Sequence, residues 1–202
     1  MGFLDKLLGR SASADAIVIV SGLPRSGTSM MMKMLDAGGI PPLTDHIRTA
    51  DDDNPKGYYE FERAKKLKEG DDTWLLEAQG KAVKVISALL PHLPDTYEYR
   101  VIFMRRAMPE ILASQRKMLI NRGEDPDKVS DEEIAELYEK HLANVFTFIE
   151  RYDNVQRLDV DYNGMLKNPR PHVEEVVRFL GRNLDKEAMT AIVDPSLYRQ
   201  RA

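Results

Sequence analysis

Cysteine is absent from the 202 residues, which excludes a disulfide framework and a thiolate metal site. The 4 His residues are scattered, with no pair at the spacing that places two zinc ligands on one helix face. Nor is there an excess of basic charge: 29 Lys+Arg against 33 Asp+Glu leave −4, and the sequence pI is about 5.7. That balance excludes a general nucleic-acid coat, so any basic site must be local. No apolar run reaches the ~18 residues of a spanning helix. Residues 1–10 are too short and too charged for a signal-peptide core, and a cytoplasmic location is expected. Phe3, Leu4, Leu7 and Leu8 share one face of a short amphipathic segment, a surface for membrane or partner contact if it is not a packed or frayed terminus.

The chain does have the composition of one globular domain, with 43% hydrophobic and 31% charged residues. A chain of this length buries roughly 70% of its unfolded surface without covalent staples. Residues 1–15 are expected to be a flexible or amphipathic lead, and residues 16–202 one domain.

Four short apolar runs, 16–21, 82–86, 100–104 and 155–160, read as strands. Helical pattern falls between and after them over 28–37, 62–69, 73–78, 109–121, 131–151, 171–180 and 185–192, with Ser130 as an N-cap ahead of Asp131, Glu132 and Glu133. Strands alternating with helices imply an α/β fold of three layers, a parallel sheet of about four or five strands covered on both faces. Residues 41–59, with Asp51, Asp52, Asp53, Asn54, Pro55 and Gly57, carry turn chemistry without a period and read as a long loop. Met30, Met31, Met32 and Met34 suit core packing better than a ligand pocket, and Trp74 suits a core anchor better than a base-stacking platform.

Between the first strand and its helix stands GLPRSGTS, residues 22–29. A glycine-rich turn entering a helix presents backbone N–H groups and the positive end of the helix dipole to an anion. A nucleotide P-loop would place Lys directly after the second glycine, where this chain has Thr28; the cation stands inside the loop instead, at Arg25.

This strand, GLPRSGTS and helix resemble the 5′-phosphosulfate loop of sulfotransferases that use 3′-phosphoadenosine 5′-phosphosulfate. Cytosolic members have Lys at the Arg25 position, and protein-tyrosine sulfotransferases have Arg. The family also carries a strand-end Arg and a helical Ser that hold the donor's 3′-phosphate, and Arg106 and Ser114 have that spacing. Ser114 shares a helix face with Glu110, Lys117 and Asn121, a face that in most proteins is solvated. A further stretch, Asp161-Tyr162 and Leu166-Lys167-Asn168-Pro169 leading into VEEVVRFLG, is similar to a structural segment of the family, so the resemblance spans about residues 15 to 182.

The resemblance implies a sulfuryl transferase with a three-layer P-loop fold. Its donor is 3′-phosphoadenosine 5′-phosphosulfate, its nucleotide product adenosine 3′,5′-bisphosphate, and its acceptor a small-molecule, glycan, lipid or peptide hydroxyl, with no metal and no nucleic-acid partner. The oligomeric state stays open. Arg25 would contact the sulfuryl and 5′-phosphate groups, with Ser26, Gly27, Thr28 and Ser29 as loop donors. Arg stays protonated and so stabilises charge without donating a proton to the leaving group. Lys84 lies where cytosolic members have a sulfuryl-contacting Lys, but the position of their catalytic His is Ile86. Tyrosylprotein sulfotransferases carry a Glu base about twenty residues beyond the loop Arg, which gives the order Asp45, then Glu60, then His46, with Glu62 a further rival. The family's basic C-terminal Arg-Lys-Gly run is absent, and Arg199 or Arg201 would be the candidates to substitute for it. Two alternatives remain: a small-molecule kinase, which would need Mg²⁺, and a non-catalytic nucleotide-binding protein, which the Ile at position 86 favours.

Overall fold

A computed structural model describes residues 15–45 and 59–194. The N-terminal apolar face, His46, the acidic turn at 51–53 and Arg199 and Arg201 lie outside the described residues. Four strands form one parallel sheet in the order β2-β1-β3-β4, with β1 Ile17–Gly22, β2 Ala82–Lys84, β3 Tyr99–Arg105 and β4 Val155–Asp161. β1 is buried at every position, the pattern of a central strand covered on both faces. Alternate residues feed two cores: Ile17, Ile19, Val101 and Phe103 on one side, Val18, Val20, Ile102 and Met104 on the other.

The first core is closed by α4 (Asp131–Ile149) and by 3₁₀ segments at Glu62–Glu69 and Ser87–His92. The second is closed by α1 (Thr28–Ala37), α5 (Tyr162–Lys167), α6 (Pro169–Leu180) and α7 (Lys186–Ala191). α2 (Leu75–Ala78) and α3 (Met108–Asn121) add Leu75, Ala78 and Ile111 to the first core. Met31, Met32, Met34 and Trp74 are fully buried, so the methionines and the tryptophan are core. The Trp74 indole N–H donates to the Asp71 carbonyl at 2.8 Å, and its ring meets Phe61 edge-on. Full burial of side chains of this size stabilises by about 1.5–3 kcal/mol each.

α1 matches the expected range, whereas 62–69 is helical with a different period. Ala64 and Leu67 are its buried residues, three apart, and that spacing aligns one face of a 3₁₀ helix rather than an α-helix. The segment ends at Gly70, whose φ of 86° is left-handed. Two elements were not foreseen. Ser87–His92 contains Pro91, which has no N–H to continue an α-ladder. α5 starts because the Asp161 carboxylate caps the Asn163 amide at 3.0 Å, in a stretch whose sequence reads as the end of a strand.

From β1 the chain passes first to β2 on one side and then to β3 on the other. The strand order reverses there, and the crevice beyond the carboxyl ends of β1 and β3 is where open parallel sheets bind ligands. Gly22 pairs with Met104 in register, so the glycine loop and Arg106 leave the sheet side by side. Lys84 pairs with Val20 and ends the neighbouring strand.

Candidate functional site

Residues 22–29 turn sharply between β1 and α1. A Cβ on Gly22 would lie 2.9 Å from the Met104 carbonyl and overlap the Ser26 hydroxyl, and one on Gly27 would overlap the Tyr162 ring. Gly27, at φ 98°, is the N-cap of α1 and supplies no side-chain cap to it. The first helical amides thus receive no cap from the N-cap residue, the arrangement of a backbone anion site. Arg25 adopts φ 67°, a left-handed conformation costly for a non-glycine residue. The Ser26 hydroxyl is buried and has no hydrogen-bond partner among the described residues.

The strained turn at Arg25 is held from two directions. Arg25 Nε donates to Ser114 Oγ at 2.9 Å, and Arg106 Nη1 donates to the Arg25 carbonyl at 2.9 Å. Ser114 and Arg106, 89 and 81 positions from Arg25 in the sequence, thus join it in one chain of hydrogen bonds. A serine hydroxyl that accepts one bond still carries an O–H donor.

Arg106 is itself enclosed. Its Nε donates to Glu110 Oε2 at 2.9 Å, with side chains only 8% and 6% exposed, and its guanidinium lies 4.9 Å from the Tyr162 ring centroid. The other Glu110 oxygen accepts from Asn163 Nδ2 at 2.7 Å, and Asn163 Oδ1 accepts from the Ala107 amide at 3.3 Å. Removing one partner of a buried pair of this kind costs about 3–5 kcal/mol. The α3 face is therefore not solvated where it matters: Glu110 and Ser114 are buried, while Lys117 and Asn121 further along are exposed. Sequence reading missed Glu110 and Asn163. The available signal was a Glu one helical turn past Arg106, which reads equally well as a surface i,i+4 pair.

A second cluster sits at the end of β2. Lys84 Nζ is 3.6 Å from Glu60 Oε1, and Lys65 Nζ is 3.1 Å from Glu60 Oε2, with Lys84 and Glu60 only 14% and 15% exposed. They line a small open recess whose other walls include Phe61, Ala64, Val85 and Leu89. Ile86, at the family's His position, forms part of the same wall and is 51% exposed.

Asp45 is placed differently. Its Oδ2 accepts from the Glu62 amide at 2.6 Å, while Thr44 Oγ1 donates to the Glu60 carbonyl at 2.9 Å. Residues 44–45 and 60–62 are thereby tied together, and Glu62 pairs outward with Lys65 at 2.6 Å. Ser87, next to Ile86, turns inward and shares a 2.8 Å hydrogen bond with His141 Nε2. Burial holds the His141 imidazole below its ordinary pKa. Among the described residues no group of three His, Asp or Glu side chains is arranged to hold a metal ion, and no helix is long and apolar enough to cross a membrane.

The described residues thus form a parallel α/β sheet with a glycine loop at its switch point, an arginine inside that loop, and Arg106 and Ser114 beside it. The sulfotransferase domain family matches residues 15–200, and the chain belongs to that family. It is a sulfotransferase, which answers the kinase alternative. Solved structures share the fold. Sulfotransferase STF1 from Mycobacterium tuberculosis H37Rv superposes with a TM-score of 0.59 at 16% identity, over 90% of this chain and 71% of that one. The sulfotransferase domain from the curacin biosynthetic pathway gives 0.55 at 12% identity, over 93% and 92%. Mouse sulfotransferase SULT7A1, complexed with PAP, gives 0.53 at 19% identity, over 98% and 72%. Comparison with curated proteins returns no match.

Proposed function

We propose that the chain transfers a sulfuryl group from 3′-phosphoadenosine 5′-phosphosulfate to a hydroxyl acceptor. The observation that carries this reading is the convergence of Arg25, Arg106 and Ser114 at the mouth of the loop, two cations and a hydroxyl where the strand order reverses. The PAP bound to the mouse relative agrees with it. The residues present fit such a donor: a glycine N-cap on α1, a buried Ser26 hydroxyl with no hydrogen-bond partner among the described residues, and Arg106 and Ser114 beside the loop. When bound, the donor supplies a sulfuryl group on a phosphosulfate anhydride.

The chain's own groups divide the work. Ser26, Gly27, Thr28 and Ser29 offer loop donors, and Arg25 stabilises charge at the sulfuryl and 5′-phosphate oxygens. Arg106 and Ser114 select the 3′-phosphate, Arg through its planar fork. Glu60 takes the acceptor's proton and Lys84 neutralises charge beside it, an assignment supported by their 3.6 Å pairing on the recess wall. Asp45, the first choice from spacing, becomes a loop fastener because its carboxylate is engaged by the Glu62 amide. The acceptor hydroxyl would enter by the recess, and the reaction runs in the cytoplasm.

Calorimetric titration with adenosine 3′,5′-bisphosphate and AMP tests the donor assignment. Loss of a charged hydrogen bond is worth about 1.5–3 kcal/mol. Arg106→Ala should therefore weaken bisphosphate binding by roughly 10- to 100-fold. AMP should lose much less, through the slackened Arg25 carbonyl alone. Equal losses for the two nucleotides would remove the 3′-phosphate assignment.

A further inference from the structure

The segment following β4, structural by its sequence, reaches into the donor site. Asn163 donates to Glu110, and Glu110 accepts from Arg106 Nε. Arg106 donates in turn to the Arg25 carbonyl, in the one non-glycine residue of the loop at positive φ. Tyr162, the neighbour of Asn163, packs its ring against Gly27 and beneath the Arg106 guanidinium. Asn163 is also tied to the backbone ahead of α3 through the Ala107 amide, so it is fixed at both ends of its amide group.

We propose that Glu110 and Asn163 are positioning residues that set Arg106 and, through Arg106, the phosphate loop, so that the 3′-phosphate site and the 5′-phosphosulfate loop are one mechanical unit. A guanidinium on a flexible stem has many rotamers, and ordering it at the moment of binding would cost affinity. Here the ordering is built into the fold, because one carboxylate uses both oxygens, one toward Arg106 and one toward Asn163. A buried network of this kind is specific only when every member is satisfied, so loss of Asn163 should be felt at Arg106. The left-handed Arg25 turn persists because the surrounding bonds over-determine it.

The inference rests on the donor reading for its ligand and not for its mechanics, and a double-mutant cycle with a ligand-free readout separates the two. Asn163→Ala should weaken adenosine 3′,5′-bisphosphate binding about tenfold in the parent and less than twofold in an Arg106→Ala background, since its effect passes through Arg106. Glu110→Gln, which preserves shape and an acceptor oxygen, should give a several-fold loss with the same dependence on Arg106. In ligand-free protein, amide hydrogen exchange over residues 26–29 should quicken about tenfold in both variants, with β4 unchanged. Equal affinity losses in the two backgrounds would make Asn163 merely structural and overturn the proposal, as would parent-like binding by both variants. Should the parent bind no bisphosphate, the donor reading fails and exchange alone decides: unchanged exchange over 26–29 overturns the positioning role of Glu110 and Asn163.

Discussion

A carboxylate's role depends on what its oxygens already hold, and Asp45 and Glu60 illustrate the difference. Asp45 accepts from a backbone amide at 2.6 Å and thereby closes a loop, whereas Glu60 faces two lysines on an open recess. Glu60→Gln should lower sulfuryl transfer by about 10²-fold or more, the range of a lost general base. Asp45→Asn keeps an oxygen acceptor and should leave the rate within a few-fold of the parent. Steady-state rates of the two variants with one acceptor decide the matter, and full activity in Glu60→Gln would remove it as the base. His141 carries a different consequence. Its folded pKa lies below the ordinary 6.5 because burial opposes the charged ring. The unfolded chain therefore binds the extra proton first, so stability is fully present above about pH 6.5 and falls as pH drops from there toward the folded pKa. Thermal unfolding between pH 7.5 and 5 should show a smaller loss in His141→Gln than in the parent. Parallel curves would mean that the ring does not titrate on unfolding in that range.

At the scale of elements, the loop and α1 form one unit whose geometry is fixed by a neighbour from the far end of the sequence. Gly27 caps α1 at φ 98°, and the Tyr162 ring occupies the place of a Cβ. Gly27→Ala should lose donor-nucleotide affinity by at least tenfold, because a left-handed Ala costs about 1–2 kcal/mol before any overlap is relieved. The protein should still unfold cooperatively; undiminished bisphosphate binding by this variant would show that the loop tolerates displacement. α1 was legible from its sequence because Met31, Met32, Met34 and Leu35 recur on one face between a glycine turn and Gly38. The 3₁₀ segments were not legible as such, since residues three apart satisfy both helix types over so short a stretch. Nor was α5, whose start depends on the cap that Asp161 supplies.

For the whole molecule, one parallel sheet brings the ends of three strands together, each with a cation: Lys84 ends β2, Arg25 follows β1 and Arg106 follows β3. A transferring sulfuryl group carries less negative charge than a phosphoryl group, so fixed cations and backbone donors can stabilise it in place of Mg²⁺. Turnover should accordingly be the same with and without an excess of chelator. A rate that collapses with chelator and returns with Mg²⁺ would contradict this account of charge stabilisation.

The amino-acid sequence by itself determined the alternation of strands and helices, the glycine loop with its internal arginine, and the Arg106–Ser114 spacing. Each is a local pattern that a backbone period or a turn conformation imposes on nearby residues. Tertiary structure decided the partners. Arg25 and Ser114 are 89 residues apart, and Glu110 and Asn163 are 53 apart. No periodicity connects such positions; only the parallel order β2-β1-β3-β4, which sets the ends of β1, β3 and β4 side by side, does so. Burial then settles their chemistry, since Glu110 on an isolated helix is one more surface carboxylate and becomes a fixed counter-charge only when α5 closes over Arg106.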